Sequence, residues 1–252
     1  MKLIQILLLA IIVAPVTIHA QDTLYFDPDG DEVKTMELCD HYTLIKPDPT
    51  NKNGRFEKNY SKSGVKKSEC YKLKEPDKYF LGKFYWIRNG DYTEWYPNGK
   101  LCEKVYFCKG KYEGNLLLYW ENGKRKRFDL YKEDKLVEGM CFDSLGNKID
   151  YFPYKVMPVF PGGDVALMRF LSNNIKYPYS AQQNGVQGKV VVKFVVDSVG
   201  NVVKAKILKG VMRDLDEEAL RVVTDMPKWT PGMQEGKAVN VRYTLPVSFK
   251  LD

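Results

Sequence analysis

Val239-Asn240-Val241-Arg242-Tyr243-Thr244-Leu245-Pro246-Val247-Ser248-Phe249-Lys250-Leu251 decides how the C-terminal part of this chain is read. The odd-numbered positions are all apolar or aromatic, and those between are Asn240, Arg242, Thr244, Pro246, Ser248 and Lys250. An unbroken two-residue period is what a strand with one buried and one wet face requires. Pro246 adds a restriction, because proline has no N–H for a ladder and within sheets is confined to edges, bulges and strand starts. The stretch is therefore predicted as a long exposed edge strand. Such an edge self-associates unless it is covered, interrupted or used to bind. The reading here is that it takes up an extended segment of another molecule.

Working back from that strand, Pro231-Gly232 is a turn, Trp229 a core plug and Pro227 a helix stop. The helix before them is expected to start at Asp214 as N-cap, with Glu217 at capping-box spacing. Leu215, Ala219, Val222 and Met226 form its apolar stripe. Lys189 to Asp197 and Val202 to Lys209 alternate as two strands around the turn Asp197-Ser198-Val199-Gly200-Asn201, which makes an antiparallel hairpin. Pro161-Gly162-Gly163 turns into a first helix with Asp164 as N-cap. That helix runs through Asn173 and is ended by Tyr177-Pro178. Gly162-Gly163 lacks both the G-x-x-x-x-G-K pattern and the preceding strand of a phosphate loop. The order helix, hairpin, helix, strand gives an α+β domain over 156–252, with two helices on a three-stranded antiparallel sheet.

The preceding part, 21–152, has another grammar. An aromatic or apolar pair leads repeatedly into a glycine turn: Tyr25-Phe26-Asp27-Pro28-Asp29-Gly30, Tyr60-Ser61-Lys62-Ser63-Gly64, Trp95-Tyr96-Pro97-Asn98-Gly99-Lys100, Tyr119-Trp120-Glu121-Asn122-Gly123-Lys124 and Cys141-Phe142-Asp143-Ser144-Leu145-Gly146-Asn147. Gly99, Gly123 and Gly146 are spaced by about 23 to 24 residues, and the earlier copies by more. Asn-Gly and Asp-Gly between aromatic runs are hairpin signals. Their repetition predicts an all-β domain of stacked hairpins, as a solenoid or an open meander. Lys46 to Asn59, rich in Pro, Asn and Lys, is expected as a mobile insertion.

Residues 1–20 combine Lys2, the apolar run Leu3 to Val16 and a small residue, Ala20, before polar Gln21. This describes a cleaved secretory signal peptide, the rival being an uncleaved anchor. The formal charge is +7, with 39 basic and 32 acidic residues, and no basic run marks nucleic-acid binding. Export permits disulfides, but the five cysteines (Cys39, Cys70, Cys102, Cys108, Cys141) make no C-x-x-C pair, and an odd count leaves at least one thiol unpaired within the chain. Beyond the leader His41 is the single histidine, so catalytic triads and histidine zinc sites have almost no material. No enzyme activity, cofactor or metal is expected.

Two resemblances follow from these residues. The turns, Tyr119-Trp120-Glu121-Asn122-Gly123-Lys124 most of all, resemble the bacterial variant of the MORN repeat. Tyr177-Pro178, Gly188 through Phe194, Asp197 through Gly200, Pro227-Lys228-Trp229-Thr230-Pro231-Gly232 and Leu245 through Phe249 resemble, in order, the C-terminal domain of TonB-family energy transducers. That resemblance implies docking on the periplasmic side of outer-membrane TonB-dependent transporters, whose TonB box adds as a strand. The docking strand would be Val239 to Phe249, with Val239, Asn240, Val241, Arg242, Tyr243, Thr244 and Leu245 as contacts and Asn174, Tyr177 and Pro178 flanking. Coupling to inner-membrane motor proteins would require an uncleaved N-terminus. The leader carries no polar residue of that kind within its apolar run and leads into repeats, so recognition of the box is better supported than force transmission. The competing reading is a cell-envelope scaffold whose sheet edge pairs with a second copy or another protein.

Overall fold

The computed structural model describes residues 22–28, 30–77 and 83–251. The leader of residues 1–20, and Asp29 of the first turn, lie outside the described residues. Two compact units divide between Ile149 and Asp150. No helix among the described residues is long and apolar enough to cross a membrane.

The first unit is one antiparallel sheet. Its strands are β1 (Asp22–Phe26), β2 (Glu32–Val33), β3 (His41–Pro47), β4 (Gly54–Ser61), β5 (Lys66–Pro76), β6 (Phe84–Trp95), β7 (Leu101–Cys108), β8 (Lys111–Tyr119), β9 (Arg125–Lys132), β10 (Lys135–Phe142) and β11 (Lys148–Ile149). From β3 to β11 each strand pairs with the next, and β1 and β2 follow beyond β3 at the other edge. This is the open meander; the hairpins lie side by side in one sheet instead of stacking face to face. Every glycine turn uses the same bonds: Gly99 N–H donates to Tyr96 O and Tyr96 N–H to Lys100 O, and the 120–124 and 143–147 turns repeat both. The positive φ this needs is +80° at Gly99 and +87° at Gly123. Neighbouring turns are tied together, Tyr96 Oη donating to Tyr119 O at 2.7 Å and Trp120 Nε1 to Phe142 O at 3.1 Å. Lys100 and Lys124 each donate to a carbonyl of the following turn. The return turns rest on positive φ at Lys109-Gly110 and Glu133-Asp134, which carry weaker local signals.

The stretch 46–59 is not an insertion. Lys46 and Pro47 pair with Phe56 and Arg55 inside the β3–β4 ladder. The Asp48 and Asn51 side chains accept N–H bonds that close the connecting turn, so the Asn and Pro content marks a tight turn between two long strands. One face of the sheet is buried along a row of cross-strand partners, Ile45, Glu57, Cys70, Tyr92, Val105, Leu116 and Asp129. No disulfide forms among the described residues, and Cys39, Cys70 and Cys141 are buried.

The second unit has β12 (Lys155–Val156), α1 (Gly163–Asn174), α2 (Tyr179–Gln183), β13 (Gly188–Val196), β14 (Val202–Lys209), α3 (Arg213–Thr224), β15 (Gly232–Gln234), β16 (Lys237–Val239) and β17 (Val241–Phe249). The three-stranded sheet is ordered β14-β13-β17, and its core joins Val190, Val192, Phe194 and Val196 to Leu215, Ala219 and Val222 of α3 and to Trp229, Leu245, Val247 and Phe249. There are three helices, not two, because Pro178 caps a further turn, its carbonyl accepting the N–H groups of Ala181 and Gln182. Neither expected N-cap stands. Left-handed Gly162 precedes α1 (φ +82°) and Met212 precedes α3, and neither gives a side-chain cap. Asp214 instead bonds the Ser180 hydroxyl, and Asp216 accepts the N–H of Val211. A second small sheet, β12-β15-β16, was not anticipated.

Candidate functional site

The last strand is shorter than its sequence period. Val239 pairs with Gly232 in the small sheet, and β17 begins at Val241 opposite Val196. At Asn240 between them the chain changes sheets, and Asn240 Oδ1 accepts the N–H of Ser198 at 3.0 Å. A side chain at Gly232 would press on Val241, Pro158 and the Val156 carbonyl, so glycine permits the close crossing.

From Val241 to Phe249, β17 pairs with β13 without a bulge, and no described strand pairs with its other side. Hydrogen-bonding direction alternates along an antiparallel strand. Pro246, opposite Val191, has no donor to give. The ladder to β13 therefore draws its donors from the odd-numbered residues, and Arg242, Thr244 and Ser248 turn their N–H groups to the open side. The same alternation sends Leu245, Val247 and Phe249 into the core and leaves Arg242 and Ser248 exposed.

Ten residues were expected at the site, and the fold divides them. Arg242 and Thr244 belong to the open edge. Tyr243 and Leu245 sit on the core side; the Tyr243 ring stacks on Phe194 at 5.5 Å and meets Trp229 at 5.2 Å. Val239, Asn240 and Val241 form the sheet-to-sheet crossing. Tyr177 lies at the other end of the strand, its ring edge-on to Phe249 at 5.7 Å and its hydroxyl donating to Val186 O. Asn174 ends α1, and its carbonyl accepts from Arg221, while the N–H of Lys176 donates to Glu218. Burial alone would raise the Glu218 pKa; hydrogen bonds from Arg221 and Lys176 override it and hold the carboxyl below its ordinary range. Arg221, bonded to Glu218, is pushed up correspondingly. The Asn174–Pro178 segment is thus clamped to α3 near Phe249, and not beside Val239–Arg242.

Sequence reading missed a hollow of about 280 Å3 at the Val241 end of the edge, walled by Lys155, Val156, Met157, Met233, Val241 and Arg242 among others. The exposure of Met157 (47%), Met233 (40%) and Val156 (37%) marks it. No group of three or more metal-ligating side chains occurs among the described residues.

Residues 173–251 match the family model described as the Gram-negative bacterial TonB protein C-terminal. This stretch carries a TonB-family C-terminal domain. The Protein TonB of Vibrio cholerae serotype O1 is 31% identical over 78 residues, which are 31% of this chain and 32% of that protein. The chain thus spans about a third of the length of the curated relative it matches. Among solved structures, an NMR structure of the Helicobacter pylori TonB-CTD is 24% identical, covering 35% of this chain and 79% of that one with a TM-score of 0.28. A shorter fragment of the same domain is also 24% identical, with 34% and 90% covered and the same TM-score of 0.28. The TonB match begins inside α1, so β12 lies upstream of it.

Proposed function

We propose that this is a periplasmic TonB-like protein that docks on outer-membrane TonB-dependent transporters by strand addition to the open edge of β17, in the service of energy-coupled uptake. It acts by binding, without catalysis. The observation that carries this reading is the one-sided ladder of β17, with Pro246 fixing which backbone groups stay available. Arg242 and Thr244 offer about four main-chain bonds, each contributing about 0.5–1.5 kcal/mol net. Ordering the guest costs about 1–2 kcal/mol per residue. Docking is therefore weak and reversible unless side chains add to it. The glycine-turn sheet, which resembles MORN repeats, serves as spacer or second binding surface.

The test titrates the full chain with labelled synthetic peptides from the periplasm-facing N-terminal segments of such transporters, read by fluorescence anisotropy. The wild type should bind at least one, and Thr244→Pro, which removes an outward donor, should abolish that binding without lowering the melting temperature of the C-terminal unit. Undiminished binding by Thr244→Pro, or no binding of any peptide by the wild type, overturns the reading. A mass that doubles with concentration, and reverts in Thr244→Pro, would assign the edge to a second copy of the chain.

A further inference from the structure

We infer that the hollow at the head of β17 is a side-chain pocket that selects the docked strand by one aliphatic residue with a carboxylate nearby; this rests on the docking reading above. Pro246 cannot donate to a guest, so the ladder on the open edge is confined to the half that holds Arg242 and Thr244. A strand seated there and continued past Arg242 arrives at the hollow, since Val241 and Arg242 are themselves part of its wall. The opposite wall comes from β12 and β15, which pair through Lys155 with Gln234 and Val156 with Met233.

The chemistry of the wall specifies the occupant. Val156, Met157, Met233, Val239 and Val241 supply the apolar part of the wall, beside polar Gln234 and Asn240, and methionine adapts to side chains of differing shape. The volume, about 280 Å3, is at the foot of the range for small-molecule sites, about 300–1,000 Å3, and suits one side chain. Lys155 and Arg242 are exposed at the rim, and no acidic residue lines the hollow, so charge complementarity asks for a carboxylate in the guest. Asn240, part of the lining, is held by its bond from the Ser198 N–H before any guest arrives. An apolar contact here supplies what the main-chain bonds lack, and the guest's sequence decides whether it is made.

The experiment takes a labelled transporter peptide that the full-length wild type binds and replaces its aliphatic residues one at a time with serine. One position should weaken binding about tenfold, or 1.4 kcal/mol. In the chain variant Met157→Asp/Met233→Asp, both sites being well exposed, the parent peptide should bind about tenfold more weakly, and serine at that position should change affinity less than twofold. Lys155→Glu/Arg242→Glu should weaken the parent peptide and recover affinity when the guest carboxylate is exchanged for lysine. If the methionine variant binds as wild type while Thr244→Pro still abolishes binding, docking stands and the pocket assignment is wrong. If Thr244→Pro binds as wild type, or the wild type binds no peptide, both fall together.

Discussion

Asp143-Ser144-Leu145-Gly146-Asn147 closes a hairpin of the long sheet, and Asp197-Ser198-Val199-Gly200-Asn201 closes the β13–β14 hairpin. The two turns are built alike. Asp143 Oδ1 accepts the N–H groups of Leu145 (2.9 Å) and Asn147 (2.8 Å), and Asp197 Oδ1 those of Val199 (3.0 Å) and Asn201 (2.8 Å). Gly146 and Gly200 share the left-handed conformation, at φ +91° and +96°. Their surroundings differ. A side chain at Gly146 would meet only the flexible stem of Lys124, whereas one at Gly200 would overlap the carbonyl of Trp229, whose N–H bonds Gly200 O. The second turn also reaches the crossing at Asn240 through Ser198. Local sequence makes the turn, and the tertiary setting decides what depends on it.

The interiors of the two units diverge in the same way. Every buried polar or charged side chain among the described residues (Thr43, Glu57, Ser68, Glu103, Arg127 and Asp129) belongs to the long sheet, while the buried core of the second unit is apolar. Arg127 and Asp129 are 1% and 0% exposed and bonded at 3.0 Å. A single sheet, unlike the layered second unit, has no α-helix among its described residues to bring apolar side chains onto its face, and its buried row is completed by paired charges.

The largest expected effect tests that contrast. Asp129→Ala breaks the buried pair with Arg127 and should destabilise the long sheet by about 3–5 kcal/mol in urea unfolding. The transition of the second unit should not move; a coupled shift of both would erase the distinction between the units. Next comes the glycine pair. Gly200→Ala adds left-handed strain and a backbone overlap and should cost about 3 kcal/mol or more, whereas Gly146→Ala carries strain alone, about 1–2 kcal/mol. Equal losses would mean that the Trp229 contact yields. The smallest effect is in acid. The Asn147 side chain, with backbone N–H groups, lowers the Asp143 pKa; at Asp197 desolvation opposes, and the Asn201 backbone and side chain prevail, lowering it too. A depressed folded pKa gives stability that is complete above the ordinary carboxylate value, about 3.9, and is lost as pH falls through the folded value. Wild type and Asp197→Asn should therefore differ in urea midpoint at pH 7, by an amount that shrinks as pH falls below the ordinary carboxylate value. A gap that does not shrink at all in acid would show that the carboxylate's charge is not what holds the turn.

Some elements were legible because their cause is local. Each glycine turn needs positive φ within five residues, and the alternation of Val241 to Phe249 needs only the strand's own pleat. Helix starts were misread at Asp164 and Asp214, although both residues suit a cap, because Gly162 turns the chain into α1 and the Ser180 hydroxyl draws Asp214 away. The site was half legible. Pro246 marked the edge, but Tyr177 and Arg242 fall at opposite ends of β17, and the hollow needs Met157 and Met233, far apart in sequence, to meet across β12 and β15.

The sequence alone determined the period of the last strand, the donor it lacks at Pro246, the repeating turns and the stripe on α3, since each follows from dihedral preference or side-chain spacing within one segment. Only the tertiary structure decided that Val239 leaves that strand for another sheet, that β13 covers one side of β17, and that charges complete a buried row. Those outcomes are pairings between distant segments, settled by which surfaces exclude water from each other, and no local preference of the chain encodes that choice.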